Sequence, residues 1–185
     1  IYSGEGKLID EFARERRLFT AAEDIPIVIK QAFISAEDKN FYSHPGYDLR
    51  GIVAAAVDAA RSRGRMRGAS TITQQVMKNF LLDGSRRAER KIKEIILATR
   101  IERTLDKEKI LELYLNEINF GNRSYGIAAA ALNYFNKALN ELTIAEMAFL
   151  AALPKAPHNY HPKRHKERAL GRRNWILGRM KILGH

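Results

Sequence analysis

Residues 25–46 read IPIVIKQAFISAEDKNFYSHPG, an apolar helical pattern that runs into two adjacent carboxylates and then into a proline-glycine turn. The spacing of the apolar residues predicts a helix up to Ala36. A turn is predicted at residues 44–46, because a residue that precedes proline avoids the helical region. Glu37 is therefore expected at a helix end that faces a cleft, as an acid or base would be. An isolated pair of carboxylates such as Glu37 and Asp38 is more often solvated than catalytic. The choice between these two interpretations depends on motifs elsewhere in the chain.

The other periodic segments also predict helices, and no alternating segment requires a strand of more than a few residues. Side chains that cap helix N-termini precede several of them, at Asp48, at Asp106 and in two possible capping boxes, Thr71 with Gln74 and Thr143 with Glu146. Helices are expected from residue 49 to about 60, from 71 to about 82, from 86 to about 105, from 107 to about 118, from 124 or 125, from 144 to 153 and from 163 to about 180.

Length and composition restrict the class of protein. A chain of 185 residues suits one domain, residues 1–185, with a real core and room for two lobes. The formal charge of +11 predicts a polyanionic partner, which can be nucleic acid, anionic lipid headgroups or a phosphorylated substrate. Cysteine is absent, so thiolate chemistry is excluded. No apolar run is long enough to span a bilayer and no leader opens the chain, although it begins without Met.

Two polar segments have the residue types of a binding site for a phosphorylated ligand. Residues 68–79, GASTITQQVMKN, open a helix whose free N–H groups and dipole suit an anion, but capping alone explains them about as well. Arg90, Lys91 and Glu94 group two cations with one carboxylate on the next helix. That cluster is either an ordinary surface ion pair or a pyrophosphate site, direct or through a divalent cation.

Other reaction classes lack their motifs. His158, His161 and His165 lie close together, but prolines interrupt the segment and no HExxH motif or cysteine accompanies them, which favours a solvated basic loop over a zinc site. A phosphate-binding GxxxxGK[ST] loop, a GxSxG elbow and a Ser-x-x-Lys motif are all missing. ATPase, serine hydrolase and penicillin-reactive transpeptidase chemistry are therefore disfavoured.

In five ordered blocks the sequence resembles the peptidoglycan glycosyltransferase domain, glycosyltransferase family 51, of class A penicillin-binding proteins and their monofunctional relatives. Five blocks with family-like gaps are far more specific than one. Ala69 and Asn136 replace glycines that are common in the family. No transpeptidase domain follows, so we expect either a monofunctional enzyme or a piece of a longer protein with a C-terminal transpeptidase domain. The blocks are residues 37–46, 68–79, 90–94, 109–121 and 145–157, and the resemblance extends over about 25–180.

The resemblance implies a mostly α, lysozyme-like fold with two lobes and a long active-site cleft. It implies a reaction that joins lipid II, the lipid-linked disaccharide-peptide, to a growing glycan chain at the outer face of the bacterial cytoplasmic membrane. Glu37 would be the general base that takes a proton from the acceptor hydroxyl, with inversion at the donor and release of undecaprenyl pyrophosphate. Glu94 would be the second carboxylate, organising the leaving pyrophosphate either directly or through Mg²⁺ or Mn²⁺, with no organic cofactor.

The resemblance also implies roles for further side chains, mostly at the donor site, where cations would stabilise charge on the leaving group. Asp38, Phe41 and His44 would shape the surroundings of the base, with a structural hydrogen bond at least as expected for His44 as proton transfer. Lys155 would contact substrate. The sugar and phosphate site of the donor would be lined by Ser70, Thr71, Gln75, Lys78, Asn79, Arg90 and Lys91.

Residues 49–67 combine an apolar helical stripe with a basic end, which suits a helix at a membrane surface rather than a core-facing helix. A mobile segment is expected at residues 64–68 from its Gly and Arg content. Two other functions stay open. A lysozyme-like peptidoglycan hydrolase also uses a catalytic glutamate but needs no pyrophosphate site. A non-catalytic protein that binds nucleic acid is supported only by the charge, and no nucleic-acid partner is expected because its signatures are absent.

Overall fold

The computed structural model describes residues 16–61, 70–81 and 87–185. Within these ranges the fold is mostly helical, as predicted, with eight α-helices, two 3-10 turns at Ala22–Asp24 and Leu139–Glu141, and one small sheet. The helices are α1 (Ile27–Glu37), α2 (Leu49–Arg61), α3 (Ile72–Leu81), α4 (Arg87–Ile101), α5 (Lys107–Glu117), α6 (Ile127–Phe135), α7 (Ile144–Ala152) and α8 (Lys166–Leu183), and the strands are β1 (Arg16–Arg17), β2 (Asn119–Gly121) and β3 (Ser124–Tyr125).

Three of the predicted N-caps are confirmed. Asp106 accepts a hydrogen bond from the backbone N–H of Lys109 at 2.7 Å, at the start of α5. Thr143 and Glu146 form the complete capping box of α7. Asp48 accepts from the N–H three residues later, at 3.0 Å, at the start of α2. Each cap satisfies a backbone donor that the helix itself leaves without a partner.

The start of α3 differs from the predicted capping box. Thr71 Oγ1 accepts from the backbone N–H of Gln74 at 3.2 Å, as expected. The side chain of Gln74 turns away, and its Oε1 accepts from Lys91 Nζ at 2.9 Å. Asp38 Oδ2 instead accepts from the N–H of Ile72 at 3.0 Å. A carboxylate from the end of α1 thus caps α3 together with Thr71.

The prediction that a helix begins at residue 124 or 125 is wrong, because α6 begins at Ile127. Ser124–Tyr125 is a strand that pairs parallel with Arg16–Arg17 and antiparallel with Asn119–Gly121. Gly126 separates this strand from α6 with a φ of 85°, and an added Cβ would lie 2.6 Å from the carbonyl oxygen of Asn116. Sheet pairing and this close approach delay the helix to residue 127.

Two helix ends also move. The prediction extended α4 to about residue 105, but α4 ends at Ile101 and residues 102–105 form turns. α8 begins at Lys166 rather than about 163, after the backbone turns at His161, and it continues to Leu183. Asn136, one of the two positions where the sequence departs from the family it resembles, ends α6 in the left-handed conformation with a φ of 53°. Asparagine tolerates that conformation better than most residues do.

A single hydrophobic core joins two groups of helices. α1, α7 and α8 pack on one another, and α3 packs on both α4 and α5. Phe33 of α1 is fully buried and makes edge-to-face contacts with Tyr114 of α5 and Phe120 of β2. α1 therefore lies centrally, and its carboxyl end opens between the two groups.

Among the described residues, no helix has the length and apolar character needed to cross a bilayer. The basic end of the 49–67 segment and the predicted mobile segment at residues 64–68 fall mostly or wholly within residues 62–69, outside the described residues. Both stay predictions.

Candidate active site

A cavity of about 320 Å³ opens at the carboxyl end of α1 and is bounded by residues of both helix groups. Its lining contains two carboxylates, several cations and amides, and one tryptophan. The lining residues are Ala36, Glu37, Ser70, Gln74, Gln75, Lys78, Glu94, Pro154, Lys155, Arg172 and Trp175.

Glu37 is the last residue of α1, and its side chain is only 14% exposed. Gln75 Nε2 donates a hydrogen bond to Glu37 Oε2 at 3.1 Å, and a guanidinium nitrogen of Arg172 lies 3.7 Å from Oε1. Burial raises the pKa of Glu37 above its usual value, while Gln75, Arg172 and Lys155 oppose that rise and Asp38 adds to it. A carboxylate with a raised pKa is a better proton acceptor than an exposed one.

Behind Glu37, a buried polar network fixes residues 38–46 to the start of α3. Asp38 Oδ2 accepts from His44 Nε2 at 2.8 Å as well as from the N–H of Ile72. His44 Nδ1 accepts from the N–H of Gly46 at 3.1 Å, so Nε2 carries the proton in this arrangement. Thr71 Oγ1 donates to the carbonyl of Gly46 at 2.7 Å. The network holds the end of α1 and the start of α3 together, and so sets Glu37 opposite Gln75.

Phe41 is fully buried in the core, with Lys107 Nζ 4.6 Å from its ring centroid. Lys107 also donates to the carbonyl of His44 at 2.7 Å. The tight turn at Gly46 has a φ of 95°, and an added Cβ would lie 2.7 Å from the carbonyl oxygen of Ala98. Of the predicted site residues, Asp38, Phe41, His44 and Thr71 thus lie buried behind the cavity rather than in its lining.

The second carboxylate, Glu94, lies in the same cavity and belongs to a connected set of polar groups. Lys91 Nζ lies 2.9 Å from Glu94 Oε2 and also donates to Ser70 Oγ at 2.8 Å and to Gln74 Oε1 at 2.9 Å. Arg90 Nε lies 3.5 Å from Glu94 Oε1. Glu94 is buried, so this is not a surface ion pair. The structure therefore brings the predicted Arg90, Lys91 and Glu94 together and adds Ser70 to them.

The described residues contain no group of three or more His, Cys, Asp or Glu that could hold a metal ion. His158 and His165 are exposed, and His161 Nδ1 accepts from the N–H of Lys163. Around Glu94 the protein supplies one carboxylate flanked by two cations. Mg²⁺ commonly binds through one or two carboxylates together with substrate phosphates, so Glu94 fits a divalent cation only when a phosphorylated ligand completes the coordination.

A second cavity of about 390 Å³ adjoins the first, because Gln75, Lys78 and Pro154 line both. The predicted Asn79 lines this second cavity and not the first. Asn119 and Tyr125 of the small sheet form part of its far wall. The cleft thus extends over both cavities, and α3 lines each of them.

Two lining residues, Arg172 and Trp175 of α8, were not predicted from the sequence. The only sequence signal was a single tryptophan in an otherwise basic helix, which is also common on solvated surfaces. Arg172 lies 135 positions after Glu37 in the chain, so no local pattern connects the two. Lys155, which was predicted, lines the cavity in the loop that follows α7.

Comparison with known proteins agrees with this geometry. The profile of the transglycosylase family matches residues 5–181. Penicillin-binding protein 1A of Rickettsia felis is 56% identical over 97% of this chain. Penicillin-binding protein 1A of Pseudomonas aeruginosa is 50% identical over the full length of this chain. The chain spans only 23% and 22% of these two relatives, which are much longer proteins.

A solved structure is similar as well. The crystal structure of penicillin-binding protein 1A from Haemophilus influenzae matches 97% of this chain, and 17% of its own chain, with a TM-score of 0.56 and 33% identity. Sequence and fold thus lead to the same assignment, and the chain belongs to the transglycosylase family, the peptidoglycan glycosyltransferases that its five motif blocks resemble.

Proposed function

We propose that this chain polymerises lipid II into glycan strands, with Glu37 as general base and with inversion at the donor sugar. The observation that carries the proposal is one cavity that is lined both by Glu37, a largely buried carboxylate, and by Glu94, a carboxylate bound by cations. A hydroxyl nucleophile needs a proton acceptor, and a pyrophosphate leaving group needs positive charge, so these two groups match the two demands of one transfer reaction.

Glu37 suits the base because burial raises its pKa and Gln75 fixes one of its oxygens. The acceptor 4-hydroxyl would donate its proton to the Glu37 carboxylate as the hydroxyl attacks the anomeric carbon of the donor. The bond from that carbon to the pyrophosphate oxygen would break, and undecaprenyl pyrophosphate would leave. The hydrogen bond from Gln75 restrains the carboxylate and so fixes its orientation toward the acceptor.

Lys91, Arg90 and Lys78 would bind the departing pyrophosphate, since all three are cations at or beside the cavity. Lys91 is already held by Ser70, Gln74 and Glu94, so its ammonium is oriented before substrate arrives. Such preorganised charge stabilises a developing anion without reorganisation at the moment of reaction. Glu94 would serve chiefly to hold Lys91 and Arg90 in place.

A divalent cation, Mg²⁺ or Mn²⁺, would be held by Glu94 together with phosphate oxygens of the donor. When bound it would neutralise charge on the leaving pyrophosphate. Lys91 and Arg90 supply positive charge at the same position, so we expect chelation of metal to lower the rate less than loss of Glu94 does.

The substrate is anchored in lipid, and the exposed apolar face of α2 supports a position at the outer surface of the bacterial cytoplasmic membrane. Leu49, Val53 and Val57 are spaced along one face and are 62%, 61% and 42% exposed. These three side chains therefore do not face the core, and their exposure supports contact of α2 with a membrane. Anionic headgroups would complement the net charge of +11.

The first experiment incubates labelled lipid II with the protein in vesicles and follows the glycan product for the parent and for Glu37→Gln. We expect polymer from the parent and a loss of about 10²–10⁴-fold in the variant, since the change removes the base and keeps the shape. Glu94→Gln is expected to be impaired as well. Glu89→Gln is the matched control, because Glu89 is also a lysine-paired glutamate of α4 but is exposed and outside the cavity.

Equal activity of Glu37→Gln and the parent would refute the assignment of the base. Release of fragments from finished glycan, with no consumption of lipid II, would favour the hydrolase that the sequence left open. Steeply salt-dependent binding to duplex DNA without either activity would favour the nucleic-acid-binding alternative.

A further inference from the structure

The carboxyl end of α1 is an unfavourable place for an ionised glutamate. The last carbonyls of a helix have no intrahelical partner, and the helix dipole places partial negative charge there. Glu37 is the final residue of α1 and is also buried. Its surroundings must therefore supply positive charge or donors if the carboxylate is to be ionised in the cavity.

α8 supplies both from the far end of the chain. Arg179 Nε donates to the carbonyl of Ser35 at 2.8 Å, and a terminal nitrogen of Arg172 donates to the carbonyl of Ala36 at 3.4 Å. That nitrogen of Arg172 is the one that lies 3.7 Å from Glu37 Oε1. Two carbonyls of the last turn of α1 and its terminal carboxylate are thus all reached by arginines of a single helix.

Trp175 lies between these arginines on the same face of α8, at positions i, i+3 and i+7. The guanidinium carbon of Arg172 is 4.1 Å from the centroid of the Trp175 ring, and that of Arg179 is 5.0 Å from it. The ring lines the cavity beside Glu37 and is 36% exposed. Cation–π contact with one aromatic surface restrains two side chains that otherwise have many rotamers.

We propose that Arg172, Trp175 and Arg179 form a clamp that caps the carboxyl end of α1 and holds Glu37 ionised and correctly oriented. The three are positioning residues, and their effect on the reaction rests on the proposed function of Glu37 as base.

The other groups around Glu37 do not replace the clamp. Gln75 donates a hydrogen bond but carries no charge. Lys155 is an exposed cation that lowers the pKa of Glu37 less than Arg172 does. Asp38 and the buried hydroxyl of Tyr114 lie near enough to interact electrostatically, and Asp38 opposes ionisation of Glu37. His44 is engaged with Asp38. The guanidinium of Arg172, 3.7 Å from Oε1, thus has a stronger influence on the carboxylate than Lys155 does.

The test measures the pH dependence of kcat/KM for Arg172→Gln, Arg172→Lys, Trp175→Leu and Trp175→Phe with lipid II. Loss of the Arg172 charge makes Glu37 harder to ionise, so the acid limb is expected at higher pH, with the ratio of low-pH to high-pH activity reduced roughly threefold to tenfold. Arg172→Lys and Trp175→Phe, which keep the charge or the ring, are expected to shift less than Arg172→Gln and Trp175→Leu respectively.

Arg173→Gln is the matched control. It removes one positive charge from the next position of α8, where the guanidinium bonds Asn174 and lines a groove beside Tyr134 and Phe149 instead of the cavity. Its pH profile is expected to match that of the parent. A shift as large as that of Arg172→Gln would mean that net charge, and not the clamp, controls Glu37, and would overturn the proposal.

A second readout does not depend on catalysis. The carboxyl carbon of Glu37, labelled with ¹³C and assigned by its absence in Glu37→Gln, is titrated by NMR in the parent and in Arg172→Gln. We expect its midpoint at higher pH in Arg172→Gln, and an unchanged midpoint with equal loss of activity at every pH would overturn the clamp. If Arg172→Gln does not fold, the clamp is tested by the pH profiles of Trp175→Leu and Trp175→Phe, and equal shifts in the two variants would overturn it. Full activity of Glu37→Gln would refute the proposed function, while the NMR titration would still judge the clamp.

Discussion

Glu37 combines features that favour catalysis and oppose stability. Its carboxylate is buried, and burial is the largest influence raising its pKa. One of its oxygens accepts a hydrogen bond from Gln75, whereas the other, Oε1, accepts none from the described part of the chain and lies 3.7 Å from Arg172. A carboxylate selected for stability alone would be neither buried nor left with one oxygen that accepts no hydrogen bond. The loss of folding stability at Glu37 is therefore attributed to its function in the site.

We therefore predict that Glu37→Gln stabilises the fold while it removes activity. The raised pKa means that the folded state holds this proton more tightly than the unfolded state, so ionisation destabilises the fold once the pH rises through the raised value. The gain in stability of the variant over the parent is expected to be smallest in acid. It grows as the pH rises from the usual glutamate pKa to the raised pKa of Glu37, and it is constant above that range.

Thermal unfolding of Glu37→Gln and the parent at several pH values checks this prediction, and a rise of roughly 2–4 °C in Tm would correspond to about 1 kcal/mol. Glu89→Gln, at an exposed carboxylate of α4, is expected to show no such gain. A gain that is the same at every pH would show that packing, and not ionisation, separates the variant from the parent.

The helix α2 turns three apolar side chains, those of Leu49, Val53 and Val57, outward. An amphipathic helix normally places its apolar stripe against the core. Phe80 at the end of α3 and Ile92 of α4 are exposed as well. Exposed apolar surface costs free energy in water and is retained when something covers it, as a membrane would under the proposed function.

We predict that Leu49→Ser with Val53→Ser weakens binding to anionic vesicles at least severalfold, because burial of each such side chain contributes about 1.5–3 kcal/mol when complete. Vesicle flotation measures the bound fraction. The control is Ile144→Ser, which removes an exposed apolar side chain, 57% exposed, at the start of α7. Equal loss in both would refute a specific role of α2, and so would no loss in either.

The core depends on contacts between distant parts of the chain. Phe33 connects α1 with α5 through Tyr114 and with the small sheet through Phe120. The cavity forms where these packed elements meet, since α1 contributes Glu37, α3 contributes Gln75 and α8 contributes Arg172. Catalytic geometry is therefore a consequence of global packing rather than of any single motif.

Phe33→Ala is expected to destabilise the protein by about 3–5 kcal/mol, since it empties a fully buried aromatic site. Denaturant unfolding gives the free energy of unfolding. Phe19→Ala, at a phenylalanine that is 72% exposed, is expected to stay within about 0.5 kcal/mol of the parent. Similar losses at both positions would contradict the central place of Phe33 in the core.

Local patterns were enough for the class of fold and for the residues within one element. The 3.6-residue spacing predicted α1, α3, α5 and α7, and the caps at Asp106 and Thr143 formed as expected, because a helix start is satisfied by side chains within three residues of it. The grouping of Arg90, Lys91 and Glu94 also followed from spacing on one helix.

The remaining features were decided by tertiary structure. Asp38 caps α3 in addition to Thr71, residues 124–125 join a sheet instead of a helix, and Arg172 and Trp175 enter the site from α8. Each depends on contacts between segments far apart in sequence, where no local spacing limits which residues meet. The sequence by itself determined the helical elements, the family and the chemical groups available, whereas packing alone decided which of those groups surround Glu37, because burial and distance are properties of the folded chain.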